Sequence, residues 1–458
     1  MNIPDIPEGF TGIVLHPTML WSTAELEPCE VGLIDPFVAG YTTDPNALAF
    51  AARVTTAMRA DMTRAMEGRL AILTGGGVDG LRKTAARENW LELEQGISQV
   101  CVELLWTALL MPPAVDSDCL HGERALVSLL DKDGAPSVCE ALLQAIEIPS
   151  LCNCTLELVA RALPLIHDAA PGICVESEDW FWWTYKTRYE PLPRCDVRSY
   201  EYLAQRIADS LAAMPVFQGL LITGSFAEED KHDGFNDLDM YCYCSSLPTK
   251  KMRRDFFARL GLDSPGSSLA FEYLKLDGVD VHVCMPLIEN QQLALERLWQ
   301  CGDESNCGHF LNPAFAASAY HLARGRILRD PTGTLARWQA QVTEYPPALR
   351  RNIHQIWRPM WKRYAARTHQ ALEAADRIHA LIALSRCREA YLRILLADNN
   401  VYCDPNPPLK WLLHEVQRLQ GPERDTLVRA VDSARFDGVR TLPDQFARLN
   451  ALWGEMEC

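Results

Sequence analysis

The stretch Gly219-Leu220-Leu221-Ile222-Thr223-Gly224-Ser225, followed after eleven residues by Asp237-Leu238-Asp239, decides how this chain is read. An apolar run of strand length stops at a glycine, and a second run, Leu238 to Cys244, opens on acids, so two strands joined by a loop are predicted. A third run, Val279 to Met285, carries Asp280 and His282 at alternate positions. Helical periodicity from about Lys250 to Leu260 separates the second and third runs, and a helix from Tyr200 to Met214 leads into the first. On the N-terminal side, apolar residues recur at three- and four-residue spacing over Asn46 to Arg69, Asn89 to Leu110, Gly122 to Leu130, Ser137 to Ile146 and Thr155 to His167. Beyond Pro331-Thr332-Gly333, a turn by composition, helical patterns cover Leu349 to Ala371, Ala374 to Ala397 and Leu409 to Gln420. The expected class is α+β: a mostly helical N-terminal domain over residues 1–190, a small α/β domain with a mixed sheet over 191–335, and a C-terminal helical bundle over 336–458.

Composition narrows the possible functions. The 458 residues are 48% hydrophobic and 23% charged, ordinary values for a globular chain with two or three cores, so a disordered or fibrous protein is excluded. Against 60 Asp and Glu stand 44 Lys and Arg, and a formal charge of -16 repels a phosphate backbone; general nucleic-acid binding is not expected. The first 25 residues lack a basic start followed by an apolar run, and the longest apolar stretch, Leu104 to Val115, is short and broken by Pro112 and Pro113. No membrane partner is expected. Sixteen cysteines without a framework, several inside apolar runs, read as buried thiols of a reducing compartment, which points to the cytoplasm.

The chemistry concentrates in the α/β segment. Side chains alternate faces along a strand, so Asp237 and Asp239 point the same way and offer paired oxygens to a hard cation, with Asp280 as a third carboxylate. Three carboxylates on neighbouring strands can hold two Mg²⁺ ions ~3.5 to 4 Å apart, the arrangement used for in-line phosphoryl chemistry. Gly224 lets the backbone approach a polyphosphate, and the Ser225 hydroxyl can donate to its oxygens.

These features resemble the nucleotidyltransferase superfamily with the DNA polymerase β-like palm. Its signature is a hydrophobic strand, Gly-Ser or Gly-Gly, about ten residues, Asp-hydrophobic-Asp, and a later strand bearing a third acid. The segment from Ala323 to Gly333 is similar to small-molecule nucleotidyltransferases of the aminoglycoside- and lincosamide-modifying kind. Tyr345, the long helices, and Asn399 to Tyr402 through Pro408-Leu409-Lys410-Trp411 resemble the helical domain of their bacterial relatives. The resemblance spans roughly residues 200 to 420 and leaves the first 190 outside it. It implies Asp237 and Asp239 as metal ligands, Asp280 as third acid, either ligand or general base, and Gly224, Ser225 and Lys410 as nucleotide contacts. It also implies an enzyme that uses Mg²⁺ and an NTP, ATP foremost, to place an NMP on an acceptor with release of pyrophosphate. A small-molecule acceptor is expected. The alternatives are a protein acceptor, as in AMPylation, and a non-catalytic nucleotide-binding or antitoxin module.

Other features have plainer readings. Thr74-Gly75-Gly76-Gly77 lacks the Gly-Lys-Ser/Thr of a phosphate loop and reads as a turn. Lys250, Lys251, Arg253 and Arg254 read as a solvated helix face. Cys301, Cys307 and His309 lack a fourth zinc ligand. Cys152 and Cys154, like Cys242 and Cys244, would share a face in a strand and are explained by burial. His282 shares a face with Asp280 and lies near the metals, in a packed or supporting role. The run from Trp180 to Tyr189 reads as a junction between domains.

Overall fold

The computed structural model describes residues 81, 84–110, 122–130, 138–169, 197–228, 237–262, 271–303, 316–402, 412–417, 419 and 422–457. Four helices come first: α1 (Trp90–Leu110), α2 (Gly122–Leu130), α3 (Val138–Gln144) and α4 (Ile148–Ala169). Asn89 starts α1 by accepting from the Glu92 N–H at 3.3 Å, an N-terminal cap. The run Leu91, Leu93, Ile97, Val100, Leu104 and Leu105 then buries its apolar face.

Next come α5 (Val197–Ala212), β1 (Phe217–Thr223), a 3₁₀ turn (Gly224–Ala227), β2 (Leu238–Cys244), α6 (Lys250–Leu260), β3 (Phe271–Leu276) and β4 (Val279–Cys284). They are followed by α7 (Ile288–Cys301), α8 (Ala319–Arg324), β5 (Arg326–Arg329) and α9 (Thr334–Gln341). The chain ends in α10 (Pro347–Glu373), α11 (Arg377–Asp398), α12 (Leu412–Gln417), α13 (Pro422–Ser433) and α14 (Leu442–Glu457). Among the described residues no helix is long and apolar enough to cross a membrane.

Two compact units emerge. One comprises residues 1–191, 358–391 and 420–458; the other comprises 192–357 and 392–419. The long helices α10 and α11 are thus each divided between them.

In the second unit the five strands form one sheet in the order β3-β4-β2-β1-β5, mixed as expected, because β2 and β4 run parallel while every other pair is antiparallel. Leu220, Ile222, Leu238, Met240, Val281, Val283 and Leu274 line one face and pack under Leu203, Ile207 and Leu211 of α5 and Phe256 and Phe257 of α6. The opposite face carries Tyr241 and Tyr243; Tyr243 meets Trp338 of α9 edge-on at 5.3 Å. Local chemistry sets the element ends. Thr249 caps α6, and Gly261, in left-handed geometry at φ 75, stops it. Asp277 and Gly278, both at positive φ, close the two-residue hairpin between β3 and β4.

In the first unit two buried charged groups find partners inside the unit. Arg388 of α11 pairs with Glu94 of α1 and donates to Gln445 of α14 and to the Ala434 carbonyl. Asp376, ahead of α11, accepts from the Gly122 N–H at 2.6 Å and contacts His379 Nδ1 at 2.7 Å.

Candidate active site

Three strand ends build the site. Thr223 closes β1 opposite Asp239 of β2, and Gly224 then turns the chain at φ 67, in the left-handed region where glycine carries no steric cost. A Cβ on Gly224 would overlap Asp239 Oδ2, so the bare backbone lies directly against that carboxylate. The next residue, Ser225, is 2% exposed, and its Oγ has no hydrogen-bond partner among the described residues.

Asp237 immediately precedes β2, and Asp239 lies within it while Leu238 between them is buried in the sheet core. Across the parallel pair, Leu238 faces Val281 and Asp239 faces His282. The alternation of β4 that buries Val279, Val281 and Val283 turns Asp280 and His282 to the opposite face, the one that bears Asp239. His282 Nδ1 stands 2.8 Å from Asp239 Oδ1. Asp237, Asp239 and His282 each offer a ligand atom, and these atoms all lie within 4.8 Å of one another. Asp280 stands outside that group. Its neighbour across the β3–β4 ladder is Lys275, whose Nζ reaches Asp280 Oδ1 at 3.8 Å.

Electrostatics at His282 is a contest between burial and charge. Burial alone would lower its pKa, but the bond to Asp239 and the charges of Asp239, Asp237 and Asp280 outweigh it and hold the imidazole above its ordinary value. The cluster is therefore an anionic pocket that draws positive charge.

A wall stands beside it. Tyr241, two residues along β2 from Asp239, lies with its ring 5.8 Å from that of His321 on α8. Ser318 caps α8, accepting from the His321 N–H at 3.1 Å, and Gln291 of α7 pins the preceding backbone by accepting from the Ala317 N–H at 2.7 Å. No spacing motif points to these residues.

Of the nucleotide contacts expected from sequence, Gly224 and Ser225 adjoin the acid cluster, whereas Lys410 lies outside the described residues, as do Thr74 to Gly77, Trp180 to Tyr189, Cys307 and His309. Cys301 donates its S–H to the Arg297 carbonyl. Cys152 and Cys154 belong to helix α4, where a two-residue step separates side chains around the axis; the shared face that a strand would give them does not exist. Cys242 and Cys244 do lie in β2, buried with sulfurs 4.0 Å apart, and that contact together with burial raises the Cys242 thiol pKa. On α6 the basic quartet divides: Lys251 pairs with Asp255 at the surface, while Arg253 turns inward onto buried Glu272 at 3.2 Å.

Residues 316–412 match the family model described as a domain of unknown function, DUF4037. No curated protein matches the chain. Among solved structures, the chain is similar to a nucleotidyltransferase-like protein from Exiguobacterium sibiricum 255-15, with 10% identity and a TM-score of 0.30 over 54% of this chain and 72% of that one.

Proposed function

We propose that the chain is a nucleotidyltransferase that moves an NMP from an NTP, ATP foremost, to an acceptor group on a small molecule and releases pyrophosphate. The observation that carries the reading is the convergence of Asp237, Asp239 and His282 on a glycine turn whose backbone touches the Asp239 carboxylate. The paired carboxylates of Asp237 and Asp239 fit a divalent cation such as Mg²⁺, which takes oxygen donors, and the turn at Gly224 lies against one of them. When bound, such an ion neutralises phosphate charge and polarises the α-phosphoryl group.

The chain's own residues supply the rest. Gly224 lets the Asp239 carboxylate lie against the backbone of the turn, and the buried Ser225 hydroxyl is a donor for which no described residue supplies an acceptor. Asp280, on the same strand face as His282, accepts the proton of the acceptor hydroxyl or amine as its oxygen or nitrogen bonds to the α-phosphorus and the bond to pyrophosphate breaks. The surplus of acids favours a small acceptor over a polynucleotide. The test is pyrophosphate release from each NTP in the presence of Mg²⁺ or Mn²⁺ and a metabolite pool, with Asp239→Asn as control. Release that needs both cation and Asp239 supports the reading; none with any NTP and cation overturns it.

A further inference from the structure

We infer that His282 is itself a ligand of the cation, and that its nitrogen turns the site from Mg²⁺ toward a first-row transition ion such as Mn²⁺. This rests on the reading above only in that the Asp237–Asp239 pair holds a divalent cation.

The strand register is the starting point. Counting acids in the sequence selects Asp280 as third ligand, yet the residue facing Asp239 across the β2–β4 ladder is His282, and Asp280 has Lys275 on its other side. Two neighbouring ligands of an octahedral ion, each ~2.1 Å from the metal, lie ~3.0 Å apart. His282 Nδ1 and Asp239 Oδ1 are 2.8 Å apart, so both can bind one ion with little movement. Without an ion, a proton bridges the same two atoms. An imidazole that only steered the Asp239 carboxylate from behind would place its nitrogen away from Asp237. Instead the ligand atoms of all three residues fall within 4.8 Å of one another, a little beyond the ~4.2 Å that opposite ligands of one octahedral ion span. The neighbouring Ser225 Oγ, buried and without a hydrogen-bond partner among the described residues, is an independent sign that this corner is organised around a ligand.

Selectivity follows from donor chemistry. Mg²⁺ prefers oxygen and sheds water reluctantly, whereas Mn²⁺ and later ions accept imidazole readily. A site of two carboxylates alone scarcely separates Mg²⁺ from Mn²⁺, and the third donor decides.

The test uses the full chain loaded with Mn²⁺. Pulsed electron paramagnetic resonance should detect a directly coordinated nitrogen in the native protein and none in His282→Asp. Competition binding should show Mn²⁺ preferred over Mg²⁺ by about 10- to 100-fold in the native protein, and a preference reduced about 10-fold or more by His282→Asp. Bound Mn²⁺ without nitrogen coupling overturns the inference, and so does a preference that His282→Asp leaves unmoved. If that variant fails to fold, the native spectrum alone decides. Cation-dependent pyrophosphate release from a protein without nitrogen coupling leaves the transferase reading standing while removing His282 as ligand, as does a protein that binds Mg²⁺ but no Mn²⁺; a protein that binds neither cation loses both.

Discussion

Two sets of charged side chains in this protein obey opposite rules. In the first unit Arg388 and Glu94 are sealed from solvent and paired with each other, Arg388 also donating to Gln445 and to a backbone carbonyl, and burial, with Arg448 nearby, pulls the Arg388 pKa down to about 9. In the second unit Asp239 and His282 stay half-exposed, with side-chain accessibilities of 32% and 24%, beside two further carboxylates. The internal set is explained by folding alone, because breaking any pair would strand a charge in a dry interior. The strand-end set gathers like charge where the fold gains nothing from it. Crowded carboxylates of that kind mark function rather than architecture.

The comparison can be broken from either side. The largest effect is expected from a chain that begins at Leu192: it keeps the sheet and its acids but removes Glu94 and the helices that share a unit with 358–391 and 420–458. It should aggregate on expression, and a soluble monomer on sedimentation would show that the first unit's inner charges do not hold it together. Next comes Asp239→Asn, which should lower pyrophosphate release by about 10³- to 10⁵-fold while thermal melting stays within a degree or two of native. Near-native turnover would dissolve the distinction between the two charge sets. Glu94→Gln should do the reverse, costing about 3–5 kcal/mol in urea unfolding while Mn²⁺ affinity holds. Gly224→Ala combines a positive φ with overlap on Asp239 and should cost about 1–2 kcal/mol of stability, with cation binding weakened far more than global melting suggests. Equal cation affinity would show that the turn does not define the site.

The smallest effect concerns pH in the metal-free protein. His282 has a raised folded-state pKa, so its contribution is fully present below its unfolded value of 6.5 and is lost as pH rises through the folded value. Partial exposure limits it to under about 1 kcal/mol. Urea midpoints across that window should fall with rising pH, and His282→Asn should flatten the slope. An identical slope in the variant would remove His282 from the charge balance.

Much of this arrangement is legible in the sequence, for reasons that also explain what is not. Strands β1, β2 and β4 and helix α6 stand out because their cores are apolar and their ends are punctuated; Lys250–Leu260 and Leu238–Cys244 fall at the residues their patterns predict. β3 carried a usable signal, Asp277-Gly278 between apolar alternations, that acid-centred reading passes over. β5 carried almost none, being four residues with an arginine at each end on a sheet edge. In the site, strand periodicity predicts that Asp280 and His282 share a face, and the structure turns both away from the apolar core. Which of them stands opposite Asp239 depends on register between strands that are not neighbours in sequence, and periodicity fixes faces, not register. Nor does any pattern disclose that Gly224 touches Asp239.

That parallel register has a consequence in time as well as in space. The β3–β4 hairpin closes through a two-residue turn and can form locally, whereas joining β4 to β2 must bring residues 239 and 282 together across an intervening helix and hairpin. The partners that meet in that longer-range step include Asp239 and His282. Cation binding during refolding should therefore lag behind the gain of helix and hairpin signal, making the bound ion a reporter of β4 docking on β2.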